Sequence, residues 1–109
     1  MNFQVETRDN YSIFTIFDET IEGKSASELK AKILLVAQPD IKALIIDLSN
    51  VKVIDSSGLG ALLLAHRQLN QHKIPVILVG MQDFIKELLK ITHIDELFKY
   101  SDCISDAIS

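Results

Sequence analysis

Hydrophobic and polar residues alternate at the start of the chain, in the two segments Phe3–Thr7 and Tyr11–Phe17. Side chains at every second position of a β-strand face the same side, so this alternation predicts two strands. Between them, Arg8–Asn10 contains turn-forming residues that join antiparallel strands. We therefore expect a hairpin whose outer strand lies at an edge of a sheet.

Two later segments, Ile41–Leu48 and Val76–Val79, are almost continuously aliphatic. Strands with few polar breaks are typical of a sheet that is covered on both faces. Each of the two follows a helical pattern, which predicts parallel strands joined by right-handed crossovers. Gly80 is expected to end the second strand.

Apolar residues recur at helical spacing in the segments that lead into these strands. Ser25 and Glu28 have the spacing of a capping box, and the pattern that follows them stops at Pro39. A second helix is expected to begin within Asp55–Gly60 and to end near His72. The stripe on this helix that is predicted to pack on the sheet consists of Leu59, Leu62, Leu63, Ala65 and Leu69.

Two further helices are expected toward the end of the chain. The apolar residues of the first are Phe84, Leu88, Leu89 and Ile91. The second is a short helix over 101–108, with Ser101 or Asp102 as its cap. Together the elements predict an α/β sandwich with a mixed sheet of about four or five strands, an antiparallel hairpin at its amino-terminal end and helices mainly on one face.

The composition narrows the classes of function. With 109 residues, 48% of them hydrophobic, residues 1–109 are expected to form one domain with a single core. The net charge of −4 argues against nucleic acid and anionic membrane surfaces as partners, because no positive field attracts their phosphates. The single cysteine, Cys103, and the lack of a signal-peptide pattern favour a reducing cytoplasm. No apolar run is long enough for membrane insertion.

The segment VIDSSGLGALLLA holds most of the candidate chemistry. A helix that begins here leaves backbone N–H groups unpaired and gathers about half a positive charge at its amino end. Asp55, Ser56 and Ser57 are candidate caps, and a purely structural junction is one interpretation that stays open. Gly58 and Gly60 allow the backbone to bend and another molecule to approach closely.

Known catalytic and cofactor motifs do not fit this junction. A dinucleotide fingerprint requires glycine or alanine where Leu63 lies, and a nucleophile elbow requires glycine where Ile54 and Asp55 lie. The G-K-[ST] ending of a phosphate-binding loop is missing. The histidines lack the spacing of a metal site. We predict no catalytic residue, no metal and no cofactor, and a hydrolase that uses Ser57 has no readable base or oxyanion site.

The block LIIDLSNVKVIDSSGLGALLLAHRQL resembles the signature of the STAS domain, and the short chain resembles the bacterial anti-sigma factor antagonists. The similarity extends to the element order, and DSSGLG is its most specific part. The resemblance implies a STAS-like sandwich in a cytoplasmic, non-enzymatic protein that is a monomer or a weak dimer. It implies two partners, an anti-sigma factor with serine kinase activity that phosphorylates Ser57, and a serine phosphatase. The unphosphorylated antagonist binds the anti-sigma factor and frees the sigma factor.

The resemblance also implies a set of residues around Ser57 that contact the partner. These are Glu22, Lys24, Ser25, Asp55, Ser56, Gly58, Leu59 and Gly60. The family more commonly has Asp where this chain has Glu22, and a role as a solvated loop residue stays open for Glu22. Capping is the alternative role for Ser25 and Asp55, while Asp55 is also a candidate to orient the Ser57 hydroxyl or to bind magnesium delivered with the partner's ATP. Ser56 is the alternative phosphorylation site.

A second hypothesis assigns the chain to a different class of function. A STAS domain can be a permanent subunit of a larger complex, such as a lipid-transport ATPase or a signalling scaffold, in which the serine is never modified. The presence of both Ser56 and Ser57 and the self-contained length favour the antagonist.

Overall fold

The computed structural model describes residues 1–108, and these residues form two sheets and four α-helices. In chain order the elements are β1 (Phe3–Arg8), β2 (Tyr11–Ile16), β3 (Thr20–Ile21), α1 (Lys24–Val36), β4 (Ala43–Asp47), β5 (Val53–Ile54), α2 (Ser56–Asn70), β6 (Val76–Val79), α3 (Asp83–Ile91), a 3-10 helix (Asp95–Leu97), β7 (Lys99–Ser101) and α4 (Ile104–Ile108). The predicted α/β class is confirmed, as are the hairpin and the two aliphatic strands β4 and β6.

The main sheet has five strands in the order β1-β2-β4-β6-β7, so β4 lies in its middle. β1 and β2 pair antiparallel, whereas the pairs β2-β4, β4-β6 and β6-β7 are parallel. The predicted mixed sheet is therefore confirmed, and β1 lies at an edge as expected. Asp9 and Asn10, which join the hairpin, both have positive φ, 52° and 69°, as a tight two-residue turn requires.

The main sheet separates two cores of unequal size, because side chains alternate between its faces. Leu44 and Ile46 of β4 face the larger core, which α1, α2 and α3 cover. Ala43 and Ile45 face the smaller core, against which α4 packs. The prediction of helices mainly on one face is thus confirmed.

A second, two-stranded sheet of β3 and β5 was not predicted. Thr20 pairs with Val53 and Ile21 pairs with Ile54, and both isoleucines are buried. Elements of two residues are too short for alternation to be detected in a sequence. This small sheet leads the chain directly into the first turn of α2.

The predicted capping box at the start of α1 is wrong. α1 begins directly after Gly23, and glycine has no side chain to cap the helix. Ser25 lies inside the first turn, where its hydroxyl donates to the Glu22 carbonyl and accepts from the Glu22 N–H, both at 2.9 Å. Glu28 instead binds the amino group of Met1 at 2.8 Å. The Glu28 carboxylate, which the sequence pattern predicted to cap α1, therefore binds a residue that is far away in the sequence.

The end of the chain also differs from the prediction. Ser101 is the last residue of β7 rather than a helix cap, and α4 begins only at Ile104. In α3 the predicted apolar positions Phe84 and Ile91 are 57% and 70% exposed, whereas Leu89 is buried. Short amphipathic segments leave the orientation of a helix weakly determined by sequence, because one or two apolar residues shift the apparent face.

Candidate functional site

Asp55 joins the starts of α1 and α2. Its backbone N–H donates to the Ile21 carbonyl at 3.2 Å. One carboxylate oxygen, Oδ1, accepts from the Gly58 N–H at 2.9 Å, which makes Asp55 the N-cap of α2. The other oxygen, Oδ2, accepts from the Gly23 N–H at 3.2 Å, directly before α1. The capping role that the sequence offered for Asp55 is present at α2, and its second carboxylate oxygen holds the residue that precedes α1.

Gly58 lets the first turn of α2 pack directly on the small sheet. A Cβ at this position would lie 2.5 Å from Cγ2 of Ile54 and 2.7 Å from the Ile21 carbonyl oxygen, and atoms do not approach this closely without displacement. Gly60 differs, because a Cβ there would meet the flexible end of Lys30, 3.4 Å from its Nζ. Packing therefore requires a glycine at the first position and tolerates a side chain at the second.

Ser56 and Ser57 occupy the first turn of α2, directly after its cap. Ser56 is exposed and Ser57 is half-buried. Within residues 1–108, neither hydroxyl forms a hydrogen bond with another protein group. The partial positive charge at the amino end of a helix favours an anionic group beside it. Neither hydroxyl is thus held by another group of the described residues, and both serines are at least partly exposed.

The loop before α1 lies beside these serines, because Asp55 holds its Gly23 N–H. Glu22 and Lys24, on either side of this glycine, are exposed. Gly23 has a φ of 50°, in the left-handed region that glycine adopts readily. The structure places in this one region all the residues that were predicted around Ser57: Glu22, Lys24, Ser25, Asp55, Ser56, Gly58, Leu59 and Gly60.

Two residues at this surface were not predicted. Lys30 of α1 lies close to Gly60, which is three residues after Ser57 and therefore on the same face of α2. Val53 of β5 is 42% exposed and lies two residues before the cap. Alternation with the buried Ile54 is a sequence signal for Val53, whereas the position of Lys30 depends on how α1 packs on α2 and has no local signal.

The remaining surface offers a cleft of about 420 Å³ between α3 and the ends of β6 and β7, lined in part by Met81, Lys86 and Tyr100. The predicted site residues do not line it. Among residues 1–108, no group of three or more His, Cys, Asp or Glu side chains is placed to hold a metal ion. Within the same residues, every helix falls short of the length or the apolar character that a membrane-spanning segment requires. The candidate site is therefore a surface patch, which suits contact with a macromolecule better than enclosure of a small ligand.

Known proteins resemble this chain in both sequence and fold. The sequence profile of the STAS domain matches residues 2–107. The anti-sigma-B factor antagonist of Listeria monocytogenes is 25% identical over 99 residues, which are 91% of this chain and 87% of the relative. The structure of an anti-sigma factor antagonist from Mycobacterium paratuberculosis has a TM-score of 0.84 at 25% identity, over 98% of this chain and 90% of its own. The Bacillus cell fate determinant SpoIIAA, in its phosphorylated form, has a TM-score of 0.76 at 19% identity, over 98% and 96%.

Proposed function

Because the chain belongs to the STAS domain family, we propose that it is an anti-sigma factor antagonist that is switched by phosphorylation of Ser57. Its unphosphorylated form binds an anti-sigma factor that is also a serine kinase, and this binding releases the sigma factor. Phosphorylation ends the binding, and a serine phosphatase restores it. The names of the Listeria and Mycobacterium relatives and the phosphorylated form of SpoIIAA support this proposal.

The position of Ser57 is the main observation that supports the proposal. Its hydroxyl has no protein hydrogen-bond partner within residues 1–108 and belongs to a half-buried residue in the first turn of α2. Backbone N–H groups and the helix dipole at such a position stabilise an added anion. A phosphate on this hydroxyl replaces no existing hydrogen bond, and Asp55 continues to cap the helix. We therefore expect the modification to change the surface and to leave the fold intact.

The charge of the phosphate explains the switch. A phosphoserine carries about −1.5 to −2 charges at neutral pH. Negative charge is already present in this region, because Asp55 lies two residues before Ser57 and holds the N–H of Gly23, which follows the exposed Glu22. A partner surface that fits a neutral hydroxyl would meet this concentrated negative charge after modification. A loss of about 100-fold in affinity corresponds to about 2.7 kcal/mol, which a few lost hydrogen bonds and one desolvated charge can supply.

The surroundings of Ser57 suit a protein partner. Leu59 is half-buried and Val53 is 42% exposed, so the segment around Ser57 includes partly exposed apolar residues. Glu22 and Lys24 add exposed charges of opposite sign nearby. An apolar centre with a polar rim is the usual anatomy of a protein interface. We assign to these residues the first contacts with the anti-sigma factor.

Titration calorimetry with the kinase-type anti-sigma factor from the same cells tests the proposal. Ser57→Asp is expected to weaken binding about 100-fold, because it adds a fixed charge at the contact. Ser57→Ala is expected to retain binding and to accept no phosphate from the kinase. Ser105→Asp places the same charge on an exposed residue of α4 and is the matched control, with unchanged affinity. Equal affinities of Ser57→Asp and the parent chain would contradict the charge argument.

Mass spectrometry of the chain isolated from its native cells identifies the modified residue. Fragmentation distinguishes a phosphate on Ser57 from one on Ser56, which is the more exposed of the two. A phosphate on Ser56 alone would show that Ser56, rather than Ser57, is the phosphorylated residue. Unmodified serines in a chain that copurifies with a transporter ATPase would favour the permanent-subunit hypothesis instead.

A further inference from the structure

The strand β1 leaves one side of the main sheet without a neighbouring strand. It is 6 residues long and contains neither proline nor lysine, residues that commonly block further pairing at sheet edges. The opposite edge, β7, has only 3 residues and begins with Lys99. β1 is therefore the edge that is more open to an additional strand.

Hydrogen bonds of the hairpin determine which backbone groups of β1 point outward. The Phe17 N–H donates to the Asn2 carbonyl at 2.9 Å, so the backbone of Asn2 is turned toward the second strand of the hairpin. The two-residue turn closes on the pair Arg8 and Tyr11, which face each other in the same way. Because backbone groups alternate along a strand, three residues have outward N–H and C=O groups: Phe3, Val5 and Thr7.

Partly exposed apolar side chains are found on β1 and on the helix that runs beside its start. Glu28 of α1 binds the amino group at the start of the chain, and Lys32, one turn later, lies with its Nζ 5.6 Å from the ring centre of Phe3. The helix and β1 therefore run in the same direction. Leu35, one turn after Lys32, follows on the same helical face. Leu35 is 67% exposed and Val5, one of the outward-facing residues of β1, is 38% exposed, so each leaves apolar surface uncovered in the single copy.

We propose that β1 pairs antiparallel with β1 of a second copy of this chain, with Val5 opposite Val5 of the partner subunit. This register places all three outward-facing residues of one copy opposite outward-facing residues of the other, which gives about six backbone hydrogen bonds. It also brings the two exposed valines together. Gln4 then lies opposite Glu6 of the partner subunit, so no like charges face each other directly.

Neighbouring registers are less favourable. A register centred on Glu6 places two carboxylates opposite each other, which destabilises a strand pair. A register centred on Thr7 extends the pairing into the turn at Asp9 and loses strand residues at the other end. The interface in the preferred register is small compared with standard protein interfaces, so the dimer is expected to be weak and to depend on protein concentration.

Disulfide formation tests this register directly. The exposed native thiol is first removed by Cys103→Ser. Val5→Cys is then expected to form an oxidised dimer, because Cα atoms of a hydrogen-bonded antiparallel pair lie about 5.5 Å apart, within disulfide range. Thr7→Cys is the matched control and is expected to stay monomeric, because the two thiols are offset by about 13 Å along the strands. Oxidised dimers of the control alone, or of neither variant, overturn the proposal.

Sedimentation equilibrium of the parent chain measures the association without a crosslink. Self-association is expected as the concentration rises from micromolar to millimolar. Val5→Lys is expected to weaken it at least tenfold, since two ammonium groups then face each other. Gln4→Lys adds the same charge one residue away, opposite Glu6 of the partner subunit, and is expected to retain or tighten the dimer. A parent chain that stays monomeric at millimolar concentration overturns the proposal. This holds even if β1 pairs with a strand of a different protein.

Discussion

The starts of α1 and α2 lie side by side but are held in different ways. At the start of α2, Asp55 caps its own helix through the Gly58 N–H, three residues later. At the start of α1, the Gly23 N–H is held by the same Asp55, 32 residues away in the sequence. The first arrangement is encoded by neighbouring residues, and the second couples two distant segments. Substitution of Asp55, the cap of α2, should therefore also alter the loop that contains Glu22 and Lys24.

The tight packing of α2 on the small sheet should give the largest effect. Gly58→Ala is expected to lower the free energy of unfolding by about 1–3 kcal/mol, because its Cβ would collide with the Ile54 side chain and the Ile21 backbone. Gly60→Ala is the matched control and is expected to raise stability by about 0.5–1 kcal/mol, since alanine favours helix and the end of Lys30 can move aside. Urea unfolding of both variants measures the difference, and effects of the same sign would contradict the packing argument.

The same contrast explains what the sequence could predict. The cap and the serines of α2 lie within one short motif, and the aliphatic runs of β4 and β6 are unbroken, so local patterns were sufficient. The error at Glu28 arose because the carboxylate binds the amino group of Met1, a contact between residues 27 positions apart. Lys30 near Gly60 was missed for the same reason, since its position depends on the packing of two helices. Local information was thus sufficient to predict the candidate site, whereas the residues at its periphery depend on tertiary contacts.

Removal of the shared carboxylate tests the coupling between the two helix starts. Asp55→Ala is expected to destabilise the chain by about 1–2 kcal/mol, the range for loss of a helix cap. Hydrogen exchange followed by NMR should become faster at both the Gly58 and the Gly23 N–H, because both lose their acceptor. Asp47→Ala, which removes the local bond from the Ser49 N–H at 2.9 Å, is the control and should leave both amides unchanged. Faster exchange at Gly58 alone would show that α1 does not depend on Asp55.

The smallest effect is expected from the second long-range contact of α1, and it should depend on pH. The hydrogen bond from the amino group of Met1 lowers the pKa of the Glu28 carboxyl below its ordinary value of 4.5. A carboxyl whose pKa is lowered on folding contributes stability above its unfolded value, and this contribution disappears as the pH falls through the lowered value. Glu28→Gln should therefore unfold at a lower temperature than the parent chain at neutral pH. This difference in melting temperature should shrink as the pH falls below 4.5. Glu87→Gln, at an exposed ion pair of α3 with 3.9 Å between charges, is the control and should show little difference at any pH. A difference for Glu28→Gln that persists unchanged in acid would mean that this residue supports α1 through packing rather than through its charge.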